Sequence, residues 1–373
     1  MMEIGPPDRP PLLMTPGPSR LPAEVRAAGG WPMLHHRSPE FSAYLAAVLD
    51  SIKPLFGTDR DVLLLHCTGR GGMEAALTNL CSPGDVVISC CNGKFGEMWA
   101  SLAEIYGLRV RRIGTDWTRS LDLEELRSAL AAHPEAAAVT VVHSDTSTGV
   151  LNDVEAVARV AKEFGALTLV DCISSLGSTP FGFDRWGVDV AITASQKGLM
   201  ASTGACFVAV SADAWEAAQK ARLPKRYLDF TAVREALGRS QPQTPGSTPV
   251  HLIYQCYAAL ALIHREGLEA VFQRHRDMAK VARDGVAELG LTGQCPELES
   301  LTPTVTGVRA PDGVSPRDIR RRMLDRGILL AGGLGPFQDS CFRIGHLGNI
   351  GLDDVRFTIS ALASVLAECG APA

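Results

Sequence analysis

Leu169-Val170-Asp171-Cys172-Ile173-Ser174-Ser175-Leu176-Gly177 and, further on, Ala194-Ser195-Gln196-Lys197-Gly198 decide how this chain reads. Each is an apolar strand running into small and polar residues. Asp171 sits where the first strand ends, and Lys197 sits just past the second. In a parallel α/β sheet, ligands bind outside the C-terminal ends of the strands. A lysine and an acid displayed there suit a pyridoxal phosphate (PLP) site. The lysine would hold the cofactor as a Schiff base, and the acid would partner its ring nitrogen.

Working outward, the flanks alternate regularly. Strands are expected at Val62–His66, Val86–Ser89, Leu108–Arg112, Ala138–His143, Leu167–Val170, Val188–Thr193 and Gly204–Val210. Helical patterns fall between them, over 71–80, 95–106, 121–132 and 152–164. Such alternation implies right-handed crossovers and a mostly parallel sheet. Residues 1–20 are proline-rich and read as an extended arm with no packed element. Ser38-Pro39 reads as a helix cap with proline at the first helical position. Residues 223–250 look irregular, and one long helix is expected from Leu252 to Leu289. The remainder reads strand, helix, strand, strand, helix. The division expected is an arm over 1–20, a large domain over 21–250, a connecting helix over 251–290 and a small α+β domain over 291–373.

Bulk properties exclude several classes. The 373 residues suit one large and one smaller domain. A net charge of −5 gives no electrostatic case for nucleic acid. No apolar run reaches transmembrane length, so no membrane partner is expected. The ten cysteines lack zinc-site spacing, and several lie in apolar strands, so no metal site is expected. The first residues lack a signal peptide's basic and apolar regions. Free thiols without a leader make the cytoplasm the expected compartment.

Further parts recur along the chain. His66-Cys67-Thr68-Gly69-Arg70-Gly71-Gly72 joins a strand to a helix, where backbone amides and the helix dipole favour a phosphate. Trp99 offers an aromatic face for a flat ring. Ser147, in His143-Ser144-Asp145-Thr146-Ser147-Thr148-Gly149, offers a hydroxyl to the cofactor's phenolic oxygen or to substrate. Ile173 would press on the ring face opposite Trp99. Arg343 stands inside an apolar strand, and a buried arginine needs an anionic partner such as a substrate carboxylate. Each part alone admits a structural reading: a glycine turn, a core tryptophan, a turn leading into a helix, a cap, a surface lysine, an internal ion pair. Their joint occurrence, in this order, is more specific.

With these residues in view, the chain resembles the class V, fold-type I PLP aminotransferases of the alanine–glyoxylate and serine–glyoxylate group. The resemblance spans almost the whole chain. It runs from Pro16-Gly17-Pro18-Ser19 through His36-Arg37-Ser38-Pro39-Glu40-Phe41, Thr68-Gly69, Gly96 with Trp99, and Ser147-Thr148-Gly149. It continues in Val170-Asp171, Ser195-Gln196-Lys197, Thr244 to Val250 and Phe342-Arg343-Ile344-Gly345. It implies a large, mostly parallel seven-stranded sheet domain and a smaller C-terminal α+β domain. It implies Lys197 and Asp171 as catalytic, with Thr68, Gly69, Arg70 and Gln196 on the phosphate. Trp99 and Ile173 would sandwich the ring, with Ser147 near the phenolic oxygen. Thr244 and Ser247 would reach the phosphate of a partner subunit, giving a homodimer with shared sites. Arg343, helped by the backbone at Gly17, would clamp the substrate carboxylate. Three departures stand out: Arg70 where Thr or His is usual, Asp145 for Glu, and Ser247 for Thr.

The reaction expected is ping-pong transamination from a small amino acid, alanine or serine, to a small keto acid such as glyoxylate or pyruvate. Alternatives are a transaminase for ureidoglycine or an aminophosphonate, and a PLP lyase or cysteine desulfurase. A desulfurase needs a mobile cysteine over the cofactor, and only Cys295 and Cys341 precede the arginine in the small domain. A non-catalytic binding protein on this fold would be expected to lose Lys197, Asp171 or Arg343, and all three are present.

Overall fold

The computed structural model describes residues 10–296 and 300–369. The first element corrects the expected arm. Leu12–Met14 is a strand (β1), followed by helices Ala23–Ala28 (α1) and Pro39–Phe56 (α2). Ser38 caps α2 by accepting from the Phe41 amide at 3.2 Å, with Pro39 in the first turn. The alternation then runs Val62–Leu65 (β2), Gly69–Leu80 (α3), Val86–Cys90 (β3), Lys94–Ile105 (α4), Arg109–Ile113 (β4), Leu123–Ala132 (α5) and Ala136–Val142 (β5). A two-stranded hairpin, Ser144–Asp145 (β6) and Val150–Leu151 (β7), leads to Val154–Glu163 (α6). Leu167–Asp171 (β8), Phe183–Trp186 (α7), Val190–Ala194 (β9) and Cys206–Val210 (β10) complete the large sheet.

That sheet has seven strands in the order β2-β10-β9-β8-β5-β3-β4. β10 runs antiparallel to both its neighbours, and the remaining pairs are parallel. β2, β3, β9 and β10 are buried along their whole length, which is why they read as apolar runs broken only by Ser89 and Thr193. Helices cover both faces. One apolar layer lies beneath α2 and α6, the other beneath α3 and α4.

Two helices occupy stretches not expected to be helical, Ala212–Lys220 (α8) and Phe230–Leu237 (α9). Each has a local cap: Ser211 accepts from the Ala214 amide, and Asp229 from the Thr231 amide. The expected long helix is two, Val250–Glu266 (α10) and Leu268–Glu288 (α11). Gly267, at φ 87°, turns the chain between them while the apolar periodicity continues on either side.

The small domain contains Val305–Arg309 (β11), Pro316–Asp325 (α12), Ile328–Gly332 (β12), Cys341–Gly345 (β13) and Leu352–Glu368 (α13). Its sheet has the order β1-β12-β13-β11. β1 pairs in parallel with β12, Leu12 opposite Ile328 and Met14 opposite Leu330. The small domain is therefore built from both ends of the chain. Met14 joins Met323, Leu330, Phe342 and Ile344 in its core. Among the described residues no helix is long and apolar enough to cross a membrane.

Candidate active site

Asp171 is the last residue of β8, and Lys197 follows β9, the next strand in the sheet. Both open onto a cavity of ≈ 340 Å³ at the C-terminal edge of the parallel strands. Thr68, Gly69 and Arg70 reach it from the start of α3, and Ile173 and Gln196 from the ends of the two central strands. A larger cavity beside α2 and α9 is lined by Asp50, Lys53, Asp61 and Arg234, and holds none of the expected groups.

The lysine is strapped from above. Lys197 Nζ donates to the Pro16 carbonyl at 2.5 Å, and Ser19 Oγ donates to the Lys197 carbonyl at 2.9 Å. Gly17 lies between them at φ 111°, and a Cβ there would fall 2.5 Å from Lys197 Nζ. Burial lowers the Lys197 amine to about 8, against the Asp171 charge, which raises it. Burial likewise pushes Asp171 up to about 7, opposed by the Ile173 amide and Lys197. The one side-chain hydrogen bond of Asp171 among the described residues is from the Ile173 amide, at 2.8 Å to Oδ1.

Arg343, on β13, is 7 % exposed. Its Nε donates to the Gly332 carbonyl and its Nη1 to the Thr146 carbonyl, each at 2.7 Å. No carboxylate lies within salt-bridge distance among the described residues. Burial pulls its guanidinium down to about 10, and nearby Asp145 opposes this.

Of the expected residues, Gly17, Arg343, Trp99 and Ser147 do not line the cavity, and Thr244 and Ser247, expected at a partner's site, do not reach that of their own chain. Trp99 is wholly buried in the core beneath α4. Phe95 and Met98, its neighbours on α4, line the cavity instead. On a helix of 3.6 residues per turn, Gly96, Trp99, Ala100 and Ala103 form the buried face, and Phe95 lies at its edge. Ser147 is also wholly buried. Its hydroxyl donates to Asp145 Oδ1 at 2.5 Å and accepts from the Lys94 amide at 2.8 Å. Thr244 is buried and donates to the Gly246 carbonyl at 2.9 Å, while Ser247 is exposed. Arg37 Nη1 pins this loop by donating to the Thr244 carbonyl at 2.9 Å. Sequence reasoning missed Phe95, Met98 and Met73 as cavity walls. The signal was the i, i+3 pair of Phe95 and Met98 in the first turns after Gly93.

The sequence profile of the family described as aminotransferase class-V matches residues 23–344. The chain belongs to this family.

As a class-V aminotransferase, it is a PLP-dependent enzyme of fold type I. It is 42% identical over 363 residues to a Synechococcus protein named the small subunit of a soluble hydrogenase, covering 96% of this chain and 94% of that one. It is 36% identical to the L-aspartate–glyoxylate aminotransferase of Paracoccus denitrificans, covering 96% of this chain and 92% of that one. The crystal structure of an alanine–glyoxylate aminotransferase from Nostoc sp. superposes with a TM-score of 0.93 at 34% identity, covering 98% of each chain.

The cavity fits PLP. Asp171 Oδ2 has no donor among the described residues, which suits a protonated ring nitrogen. Thr68, the N-cap of α3, makes no capping hydrogen bond, so the first amides of the helix are left for a phosphate. Gly69 leaves room for Ile173, whose Cδ1 would lie 2.3 Å from a Cβ at that position.

Proposed function

We propose that this class-V aminotransferase moves the amino group of a small amino acid, alanine or serine, to glyoxylate or pyruvate, as a homodimer with shared sites in the cytoplasm. The observation that carries the reading is one cavity holding a lysine, a buried acid and an uncapped helix start; outside its lining, a buried arginine with no carboxylate at salt-bridge distance among the described residues donates to the Thr146 carbonyl. The names of the alanine–glyoxylate and aspartate–glyoxylate relatives support it. The hydrogenase name of the Synechococcus relative finds no counterpart in the ligand chemistry. Among the described residues no three His, Cys, Asp or Glu side chains stand together to hold a metal. All ten cysteines are free thiols, in keeping with a reducing compartment.

Bound in the cavity, PLP would supply an electron sink and carry the amino group between two half-reactions. Lys197 and Asp171 are the catalytic pair. Lys197 Nζ would take the proton from the substrate Cα and deliver it to the cofactor's C4′, a task that needs the neutral amine, and burial moves the amine toward that form. Asp171 holds the proton on the ring nitrogen. Thr68, Gly69, Arg70 and Gln196 bind the phosphate, joined by Thr244 and Ser247 of a second copy. Phe95 and Ile173 are the apolar walls of the ring. Arg343 presents the N–H groups not used by Thr146 and Gly332 to the substrate carboxylate.

A second reading rests on Arg70. It is exposed in the cavity, and it forms no ion pair among the described residues. A cation in the first turn of a helix opposes the helix dipole, so an anion is its natural partner. A dicarboxylic donor such as aspartate would provide one.

Visible absorbance of the holoenzyme mixed with each donor in turn tests the function. Alanine or serine should bleach the cofactor band and, with glyoxylate added, turn over; Lys197→Ala should abolish turnover. A fully active Lys197→Ala enzyme would sink the assignment. Aspartate leading the panel, with its lead lost in Arg70→Gln, would replace the first donor reading by the second.

A further inference from the structure

One buried acid is left over by this scheme. Asp145 is 1 % exposed and lies in the turn that also holds Thr146 and Ser147. Its Oδ2 accepts from the Phe95 amide at 3.0 Å, across 50 positions of sequence. Its Oδ1 accepts from the Ser147 amide at 2.9 Å and from the Ser147 hydroxyl at 2.5 Å. Ser147 Oγ in turn accepts from the Lys94 amide at 2.8 Å. The first two amides of α4 are thus capped by a different element.

The local N-cap, Gly93, has no side chain with which to do this. Its backbone is extended, so its conformation does not demand glycine. The space does: a Cβ on Gly93 would stand 2.3 Å from the Asp145 carboxylate. Phe95 is the second residue of the helix so capped, and it lines the PLP cavity.

We propose that Asp145 is a positioning residue: seated in the gap left by Gly93, its carboxylate caps α4 and fixes Phe95 as the aromatic wall of the cofactor site. The inference rests on the proposed role of Phe95. It goes beyond that role by naming what holds the wall. The same turn offers the Thr146 carbonyl to Arg343 and the Ser147 carbonyl to Gln294 Nε2, the latter at 2.6 Å. One turn therefore ties the ring wall to the substrate clamp. Burial raises the Asp145 carboxyl, and hydrogen bonds from Ser147, Phe95 and Gly96 pull it back toward the anion that a helix start favours.

The test uses the holoenzyme and four variants: Asp145→Asn, Gly93→Ala, Phe95→Leu and the Asp145→Asn/Phe95→Leu double. The readouts are the PLP dissociation constant, the visible circular dichroism of bound PLP, and exchange of the Phe95 amide in the cofactor-free protein. Asp145→Asn should weaken PLP roughly tenfold, as loss of a charge-assisted hydrogen bond does, and speed Phe95 amide exchange. Gly93→Ala, with Asp145 intact, should do the same. The double variant should bind PLP no more weakly than Phe95→Leu alone, because the two residues act in series. Additive losses in the double variant overturn the proposal. Should Asp145→Asn fail to fold, unchanged exchange and affinity in Gly93→Ala overturn it equally. A Phe95→Leu enzyme with unaltered affinity and dichroism removes the ring-wall role itself, and the proposal with it.

Discussion

Burial moves both Lys197 and Asp171 toward their neutral forms in the cofactor-free protein, and a protonated ring nitrogen beside Asp171 would draw it back to the carboxylate. Burial raises Asp171 from 3.8 to about 7 and lowers Lys197 from 10.5 to about 8. The folded, cofactor-free protein then holds a proton on Asp171 that the unfolded chain releases between about pH 4 and 7. That contribution to stability is full below pH 4 and is lost as the pH rises to about 7. For Lys197 the sign reverses: the folded chain binds fewer protons between about 8 and 10.5, so stability rises over that interval. Asp171→Asn should remove the first slope. The urea midpoint of the cofactor-free variant, relative to wild type, should climb between pH 4 and 7 and then level off. Parallel profiles for the two proteins would mean that Asp171 is not held protonated by burial. The same Lys197 value predicts that uptake of PLP by the cofactor-free protein, followed by visible absorbance, slows as pH drops below about 8, since the ammonium cannot act as a nucleophile.

Among the elements, β1 ties the small domain to the chemistry. Three residues pair with β12, and the chain then passes through Pro16 and Gly17 directly over Lys197. Gly17→Ala combines a positive φ with a Cβ driven into the lysine side chain. It should cost about 1–3 kcal/mol of stability and lower turnover at least tenfold, seen in thermal melts and steady-state rates. A variant with wild-type turnover would show that the strap does not set the lysine's position. This element was hidden in the sequence because three residues in a proline-rich arm carry no periodic signal; their partner strand lies more than three hundred residues away. The strands around Asp171 and Lys197 were legible for the opposite reason, since being covered on both faces leaves a mostly apolar run, with Thr168 and Thr193 the polar exceptions before Asp171 and Ser195. Gly267 went unread as a break because apolar spacing continues through α10 and α11. Trp99 was expected at the ring, but helix phase turns it into the core and brings Phe95 to the cavity. Ser147 was expected at the cofactor, but a turn sets side-chain direction through its own hydrogen bonds, here to Asp145 and Lys94.

At the scale of the molecule, one chain leaves two features without use. Thr244 and Ser247 do not line the cavity beside Lys197, and an aromatic patch on α2, α10 and the segment between α1 and α2 faces outward. Met33 is 64 % exposed, and Trp31 and Tyr257 are each 36 % exposed, around Tyr44 and Tyr254. The rings are already in contact, Trp31 with Tyr254 at 5.5 Å and Tyr44 with Tyr257 at 5.2 Å between centroids. Aromatic residues clustered at a surface mark the cores of protein interfaces. The patch extends to α10, which begins three residues after Ser247, so a second copy docked there is well placed to exchange that loop for its own. Subunit mixing tests the exchange. Lys197→Ala chains and Thr244→Ala/Ser247→Ala chains should each be weak alone. In a mixed dimer one site loses all three side chains, and the other regains Lys197 from one copy and both hydroxyls from its mate. Random reassembly makes half the dimers mixed, so about a quarter of the wild-type sites should be restored. A mixture no more active than the mean of its parts would confine each site to one chain, and Thr244 and Ser247 would then belong to the loop that Arg37 pins rather than to the phosphate.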